Sequence, residues 1–163
     1  MAEIQIEAEF FRRVLGNYPT GVCVVTATDS DDQPLGMVVG SFGSISLDPP
    51  LVGFFPARTS TSWPRIAKAG RFCVNVMAID QATTCRQIAS VDEKFLGVDY
   101  EISEHGLPVL KNSLAAIQCH LESVLEAGDH LFVMGRVVGM EVMRDADPML
   151  FFKGEYGAFS RRA

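Results

Sequence analysis

The stretch GMVVGSFGSISLDPP, residues 36–50, decides how this chain folds. Val38, Val39, Ile45 and Leu47 make it apolar enough for a β-strand. It nevertheless carries three glycines (Gly36, Gly40, Gly43) and three serines (Ser41, Ser44, Ser46). Glycine inside a strand weakens it and marks a bulge, a bend or a close approach to the backbone. The serines place hydroxyl groups at the same spot. Two readings stand side by side: a bent barrel corner, or a small-residue floor for a flat ligand with polar edges. A strand can bend and bind at once. The group Asp48-Pro49-Pro50 stops it.

Working outward from this stretch, strands dominate. Residues 22–28 are rich in β-branched side chains and read as a strand, followed by the turn DSDDQP. The next strand is expected to begin at Leu35 and run to about Ile45. Residues 51–55, wholly apolar, form another, and residues 71–77 a fourth. Residues 107–110 are short and extended. From 114 to 125 the pattern alternates, with Ile117, Cys119 and Leu121 on one face and Gln118, His120 and Glu122 on the other, as in a half-buried strand. Residues 131–142 form a long strand, with Gly135 and Gly139 easing its curvature, and residues 149–152 a short last one.

Helices are few. Phe10, Phe11, Val14, Leu15 and Tyr18 recur at helical spacing over residues 8–18. Residues 63–68 form a second helix, capped by Ser62 or a neighbouring hydroxyl, with Pro64 in its first turn and Gly70 at its end. A third spans 80–89 with Asp80 as its N-cap, and a loop covers 90–99. Many strands joined by short turns with two or three short helices predict an antiparallel barrel rather than layered βαβ units. No G-x-G-x-x-G opens a helix after a strand, which disfavours a Rossmann dinucleotide site.

At 163 residues the chain is long enough for one domain with a proper core, here taken as residues 1–163. Its 48% hydrophobic and 21% charged residues argue against disorder. Fourteen Lys and Arg against twenty Asp and Glu give a net charge of −6, so no global field favours nucleic acid or an anionic membrane. Residues 1–9 carry Glu3, Glu7 and Glu9 and do not read as a signal peptide. The apolar runs fall short of the roughly 20 residues a membrane span needs. Cys23, Cys73, Cys85 and Cys119 show no C-x-x-C spacing and are expected as buried free thiols. The expected location is cytoplasmic, with no metal site.

Three further features bear on chemistry. Arg58-Thr59-Ser60-Thr61-Ser62 combines a cation, four hydroxyls and a helix start, which suits a phosphate or simply a capped, solvated loop. His130, in Gly128-Asp129-His130, reads as an acid, a ligand anchor or a strand-edge histidine. His105 and His120 complete no metal set with it. Tyr156 sits in the turn-like GEYG, an unusual place for an aromatic unless it covers something. No nucleophile elbow, Ser-His-Asp order or paired acids stand out, so any chemistry must come from a bound cofactor.

The ordered segments FRRVLGNYPTGVCVVTA, GMVVGSFGSISLDPPLV, FPARTSTSWPRI, GRFCVNV, EKFLGVDY, GDHLFVMGRV and PMLFFKGEYGAF resemble the short-chain flavin reductases, the reductase components of two-component flavin-dependent monooxygenases. The likeness covers about residues 8–160. It implies a split β-barrel homodimer binding FMN or FAD at the subunit interface. NADH or NADPH would reduce the flavin, which then diffuses to a partner oxygenase. It also assigns roles. Gly36, Met37, Val38, Val39, Gly40 and Ser41, with Ser44 and Ser46 beyond Phe42, would meet the isoalloxazine edge. Pro56, Ala57, Arg58, Thr59, Ser60, Thr61 and Ser62 would take the ribityl-phosphate side, with Trp63 packed near it. Lys94 and Phe95 would belong to a loop that reaches the flavin. His130 would face the nicotinamide as the catalytic residue, and Tyr156 would stand near the same opening. Val38 and Gly40 depart from the family pattern, where a hydroxyl residue and asparagine are common, so contact there would rest more on backbone amides. The same likeness admits a protein that holds its flavin tightly and reduces a substrate directly, or a non-enzymatic flavin-binding module.

Overall fold

A computed structural model describes residues 5–90 and 93–160. The lead-in before residue 5, residues 91–92 at the start of the 90–99 loop and residues 161–163 lie outside the described residues. In chain order the elements are helix α1 (Ala8–Leu15), β1 (Thr20–Gly21), β2 (Cys23–Thr28), β3 (Pro34–Val39), β4 (Gly43–Leu47) and β5 (Pro50–Phe54). Then come α2 (Trp63–Ala69), β6 (Arg71–Val76), a 3₁₀ turn (Ile79–Gln81) leading into α3 (Ala82–Ala89), β7 (Tyr100–Ile102) and β8 (Pro108–Leu110). The long strands β9 (Ala115–Ala127) and β10 (His130–Val142) follow, and β11 (Met149–Phe152) and β12 (Glu155–Ala158) close the series.

Seven strands form one antiparallel sheet in the order β3-β2-β6-β9-β10-β5-β4. Its two edge strands, β3 and β4, are consecutive in the chain and separated only by residues 40–42. From Val39 to Gly43 the backbone can reach at most roughly 14 Å. The sheet must therefore curl until its edges face each other, which makes a split β-barrel. The expected single strand from Leu35 to Ile45 is thus two strands on opposite edges, and the glycine-rich centre is the corner between them. Ser41 bridges the seam: its Oγ accepts the Phe55 N–H at 2.9 Å.

The barrel interior holds Val25, Phe54, Trp63, Ile66, Phe72, Val74, Cys119 and Val133. Phe54 meets Trp63 and Phe72 edge-on, with ring centroids 5.6 and 5.5 Å apart, a favoured aromatic geometry. A second cluster lies on the outer face, where Val22, Val24 and Met77 pack against Cys85 and Ile88 of α3. Strand β2 is consequently buried on both faces, which explains its unbroken apolar run. Register shifts between β9 and β10 fall at Met134/Gly135 and Val137/Gly139, where curvature is expected.

Several local expectations need correction. α1 stops at Leu15, so Tyr18 lies beyond it and is 72% exposed. At the start of α2 it is the neighbouring hydroxyl of Ser60 that bonds, as expected of Ser62 or a neighbour: its Oγ accepts the Trp63 N–H at 3.1 Å, while Ser62 makes no side-chain cap bond. Gly70 ends that helix with a left-handed φ of 70°. Asp80 caps nothing, because its carboxylate is engaged by Arg144, while Gln81 Oε1 accepts the Ala78 N–H at 3.1 Å. Gln118, placed on the polar face by alternation, is buried and accepts a hydrogen bond from Ser103 Oγ at 2.5 Å. The β7–β8 hairpin lies over that face and was not foreseen as paired. All four cysteines are free and buried. Among the described residues, no helix is long and apolar enough to cross a membrane.

Candidate functional site

Gly128, with a positive φ of 66°, and Asp129 make the turn between β9 and β10. This tip is clamped from the side by residues 56–58. The Arg58 N–H donates to Asp129 O at 3.0 Å, the Leu131 N–H donates to Pro56 O at 2.9 Å, and Ala57 and His130 form an isolated antiparallel bridge. Two segments more than 70 residues apart in sequence, PARTSTS and GDH, thus share one backbone ladder. The imidazole of His130, 45% exposed, holds Asp129 Oδ1 through Nδ1 at 2.8 Å. That hydrogen bond is the main reason the Asp129 carboxyl sits below the usual carboxylate range. Arg58 extends toward Glu126, 3.5 Å away, with both groups exposed.

Phe55 continues from the clamp to the barrel seam. Its N–H is held by Ser41, and its ring stacks on Phe132 at 4.9 Å with 19° between planes. His130 and Phe132 are two residues apart on β10 and so share a face. Gly53 permits this arrangement: a β-carbon there would lie 2.8 Å from Phe132 Cε2 and 2.7 Å from Ile45 Cδ1. Beside the rings, a cavity of about 400 Å³ is lined by Tyr18, Thr20, Gly40, Ser41, Phe42 and Phe55. Sequence reasoning missed Phe55, Phe132 and Asp129. The period of two from His130 was the available signal for Phe132.

Other predicted site residues lie elsewhere. A β-carbon on Gly36 would meet Ile88 Cγ2 at 2.9 Å and the Phe95 ring at 3.1 Å, so this glycine answers to packing under α3. Phe95 also meets Tyr100 edge-on at 5.4 Å. Lys94 donates through Nζ to the Ile88 carbonyl at 3.0 Å, and its ammonium is pushed down by burial. Trp63 is 4% exposed, its ring packed in the barrel core at the start of α2. Met37 and Val39 pack inward, and Val38 packs outward on the α3 side. Ser44 and Ser46 sit on the open edge strand β4. Thr59 and Thr61 are exposed and Ser62 is half-buried.

Tyr156 is not in a turn. It lies on β12 in a separate sheet, β1-β11-β12, and meets Phe151 edge-on at 5.9 Å with Arg86 over its ring at 5.8 Å. Burial pushes its hydroxyl up from the ordinary value. No described contact joins it to His130.

A flat apolar platform, a seam of small residues and an oriented imidazole together suit a planar aromatic ligand with polar edges. Comparison with known proteins agrees. The model of the flavin reductase like domain matches residues 15–160. The chain belongs to the flavin reductase family. It is 51% identical to a flavin reductase of Pseudomonas putida over 95% of this chain and 92% of that one. It is 46% identical to HsaB, the reductase subunit of a flavin-dependent monooxygenase in Rhodococcus jostii, over 93% of this chain and 77% of that one. Among solved structures, the NADH:FAD oxidoreductase SgcE6 of Streptomyces globisporus C-1027, in complex with NAD and FAD fragments, superposes with a TM-score of 0.90. That pair is 32% identical over 99% of each chain.

Proposed function

We propose that this chain, folded as one domain over residues 1–163, is an NAD(P)H-dependent flavin reductase that supplies reduced FMN or FAD to a partner oxygenase. The observation that carries the reading is the ladder between residues 56–58 and 129–131, which holds His130 beside the Ser41–Phe55 seam. A bound flavin would supply the hydride acceptor for a nicotinamide donor, so no protein nucleophile is needed. The chain's own work is to position and to exclude water. The Phe55–Phe132 pair gives a stacking surface, and the corner at Gly40 and Ser41 edges it. Pro56, Ala57, Arg58 and the hydroxyls of residues 59–62 take the phosphate side. His130 orients the nicotinamide.

A homodimer accompanies this reading. No residue of α1 is buried, and Phe10, Phe11, Val14 and Leu15 are each about half exposed. Leu47 on the edge strand β4 is 92% exposed and Val142 on β10 is 86% exposed. Apolar surface of this extent marks an association face. Four free thiols are in keeping with a reducing, cytoplasmic location.

The test mixes purified protein with NADH or NADPH and an excess of FMN, FAD or riboflavin, followed at the nicotinamide absorbance band. Flavin-dependent oxidation with at least one pair is expected. No oxidation with any pair would overturn the assignment. Oxidation that needs a different acceptor, with the flavin remaining bound, would replace the diffusible-flavin reading with a tight flavoprotein.

A further inference from the structure

We propose that Asp129 is a positioning residue that fixes the tautomer and direction of the His130 imidazole, so that Nε2 faces the ligand as a hydrogen-bond acceptor. This rests on the flavin reductase reading and adds to it a second side chain and the chemistry of the group His130 recognises.

The backbone of Asp129 is held on both sides of its side chain. Gly128 precedes it in a left-handed turn, its own carbonyl accepts the Arg58 N–H, and His130 bridges Ala57. The backbone beneath the dyad is therefore pinned, and the exposed Asp129 carboxylate is held through its bond to the imidazole. Within this frame Asp129 Oδ1 lies 2.8 Å from Nδ1 of His130. A carboxylate only accepts, so the ring proton must sit on Nδ1 in the neutral imidazole. Nε2 is left with its lone pair. A free imidazole favours the opposite tautomer, with its proton on Nε2. Asp129 thus reverses the default and converts the ligand-facing nitrogen from donor to acceptor. The matching ligand group is an N–H donor in a plane, such as a carboxamide, which pairs with an acceptor and not with a second donor. Arg12 of α1 adds a favourable field at the same carboxylate.

The experiment compares wild type, Asp129→Ala, Asp129→Asn, His130→Ala and the double variant Asp129→Ala/His130→Ala. Two readouts are taken: the ¹⁵N spectrum of His130 at about pH 8, above the ordinary histidine range, and the KM for the nicotinamide substrate with flavin in excess. In wild type the spectrum should show the proton on Nδ1, and in Asp129→Ala a shift toward the Nε2–H form. Asp129→Ala should raise KM roughly three- to tenfold, as expected for one misdirected hydrogen bond, with flavin affinity unchanged. Asp129→Asn, which can donate as well as accept, should also raise it. In the His130→Ala background the Asp129→Ala change should add nothing, because Asp129 acts only through the ring. The same tautomer in wild type and Asp129→Ala overturns the proposal, as does an equal KM penalty in both backgrounds. The spectrum needs no turnover, so the tautomer assignment stands or falls even if no flavin is reduced.

Discussion

The ring of Phe95 lies 3.1 Å from the point where a β-carbon on Gly36 would stand, and Ile88 Cγ2 lies 2.9 Å from the same point. Strand β3 is therefore stripped at residue 36 to admit α3 and the loop after it. Gly36→Ala should overpack this junction and cost about 1–3 kcal/mol, seen as a fall of several degrees in Tm. Phe95→Ala combined with Gly36→Ala should recover part of that loss, because one of the two clashing groups is removed. Full additivity of the two changes in a thermal melt would show that the contact does not govern the site.

Asn75 is the polar centre of the outer core. Its Nδ2 donates to Val24 O at 3.0 Å and to Thr26 Oγ1 at 3.1 Å, and its Oδ1 accepts the Leu110 N–H at 2.8 Å. Thr26 Oγ1 donates in turn to Pro108 O at 2.5 Å. Together these bonds fasten β8 onto the outer face of β2 and β6. Asn75→Ala strands a buried N–H and a buried carbonyl and should cost about 2–4 kcal/mol in denaturant unfolding. Thr26→Val, similar in shape, should cost less.

The barrel was legible because its signals were local and consistent: β-branched runs, alternation in residues 114–125, and punctuation by Pro and Gly. What escaped depended on distant partners. Gly36 and Gly40 look alike in sequence, yet Gly36 answers to Ile88 and Phe95, while Gly40 belongs to the corner that brings two sheet edges together. β7 and β12 were missed because each is short and pairs with a single neighbouring strand. For the site, residues 58–62 and His130 stood out by residue type and the family likeness gave them roles, and only the fold could say that residues 56–58 and 129–131 are neighbours. Trp63 carries no mark in sequence that separates a core ring from a lid.

Burial keeps the cysteines from ionising. Cys23, Cys73 and Cys119 are each pushed up from 9.0 to about 12 and Cys85 to about 11, desolvation being the leading cause in each. The folded state thus binds these protons more tightly than the unfolded chain. Their contribution to stability is complete below pH 9.0 and declines as pH rises from 9.0 through about 12. A soluble thiol reagent at about pH 8 should leave all four unlabelled in the native protein and label all four after unfolding. Rapid native labelling of any one would contradict its placement.

The stacked pair Phe55 and Phe132 invites the sharpest test of the platform. The two rings overlap at 4.9 Å and 19°, and Phe55 remains 45% exposed on the side away from the core. Phe132 is itself only half-buried, so truncating it should remove the stacking surface without opening a large cavity. Phe132→Ala should weaken flavin binding about five- to tenfold, in line with the worth of one aromatic contact, while Tm falls only slightly. Phe132→Tyr keeps the ring and should bind like wild type. Gly53→Ala provides the geometric control: its β-carbon would stand 2.8 Å from Phe132 Cε2, 2.7 Å from Ile45 Cδ1 and 2.9 Å from the Val133 carbonyl. The ring can swing aside but the carbonyl cannot, so this variant should lose both affinity and stability. Flavin binding is read by fluorescence quenching and stability by thermal melting, each variant in both assays. If Phe132→Ala binds flavin as wild type does, the ring pair is surface packing, and the stacking surface must be sought in the 400 Å³ cavity between Tyr18 and Ser41.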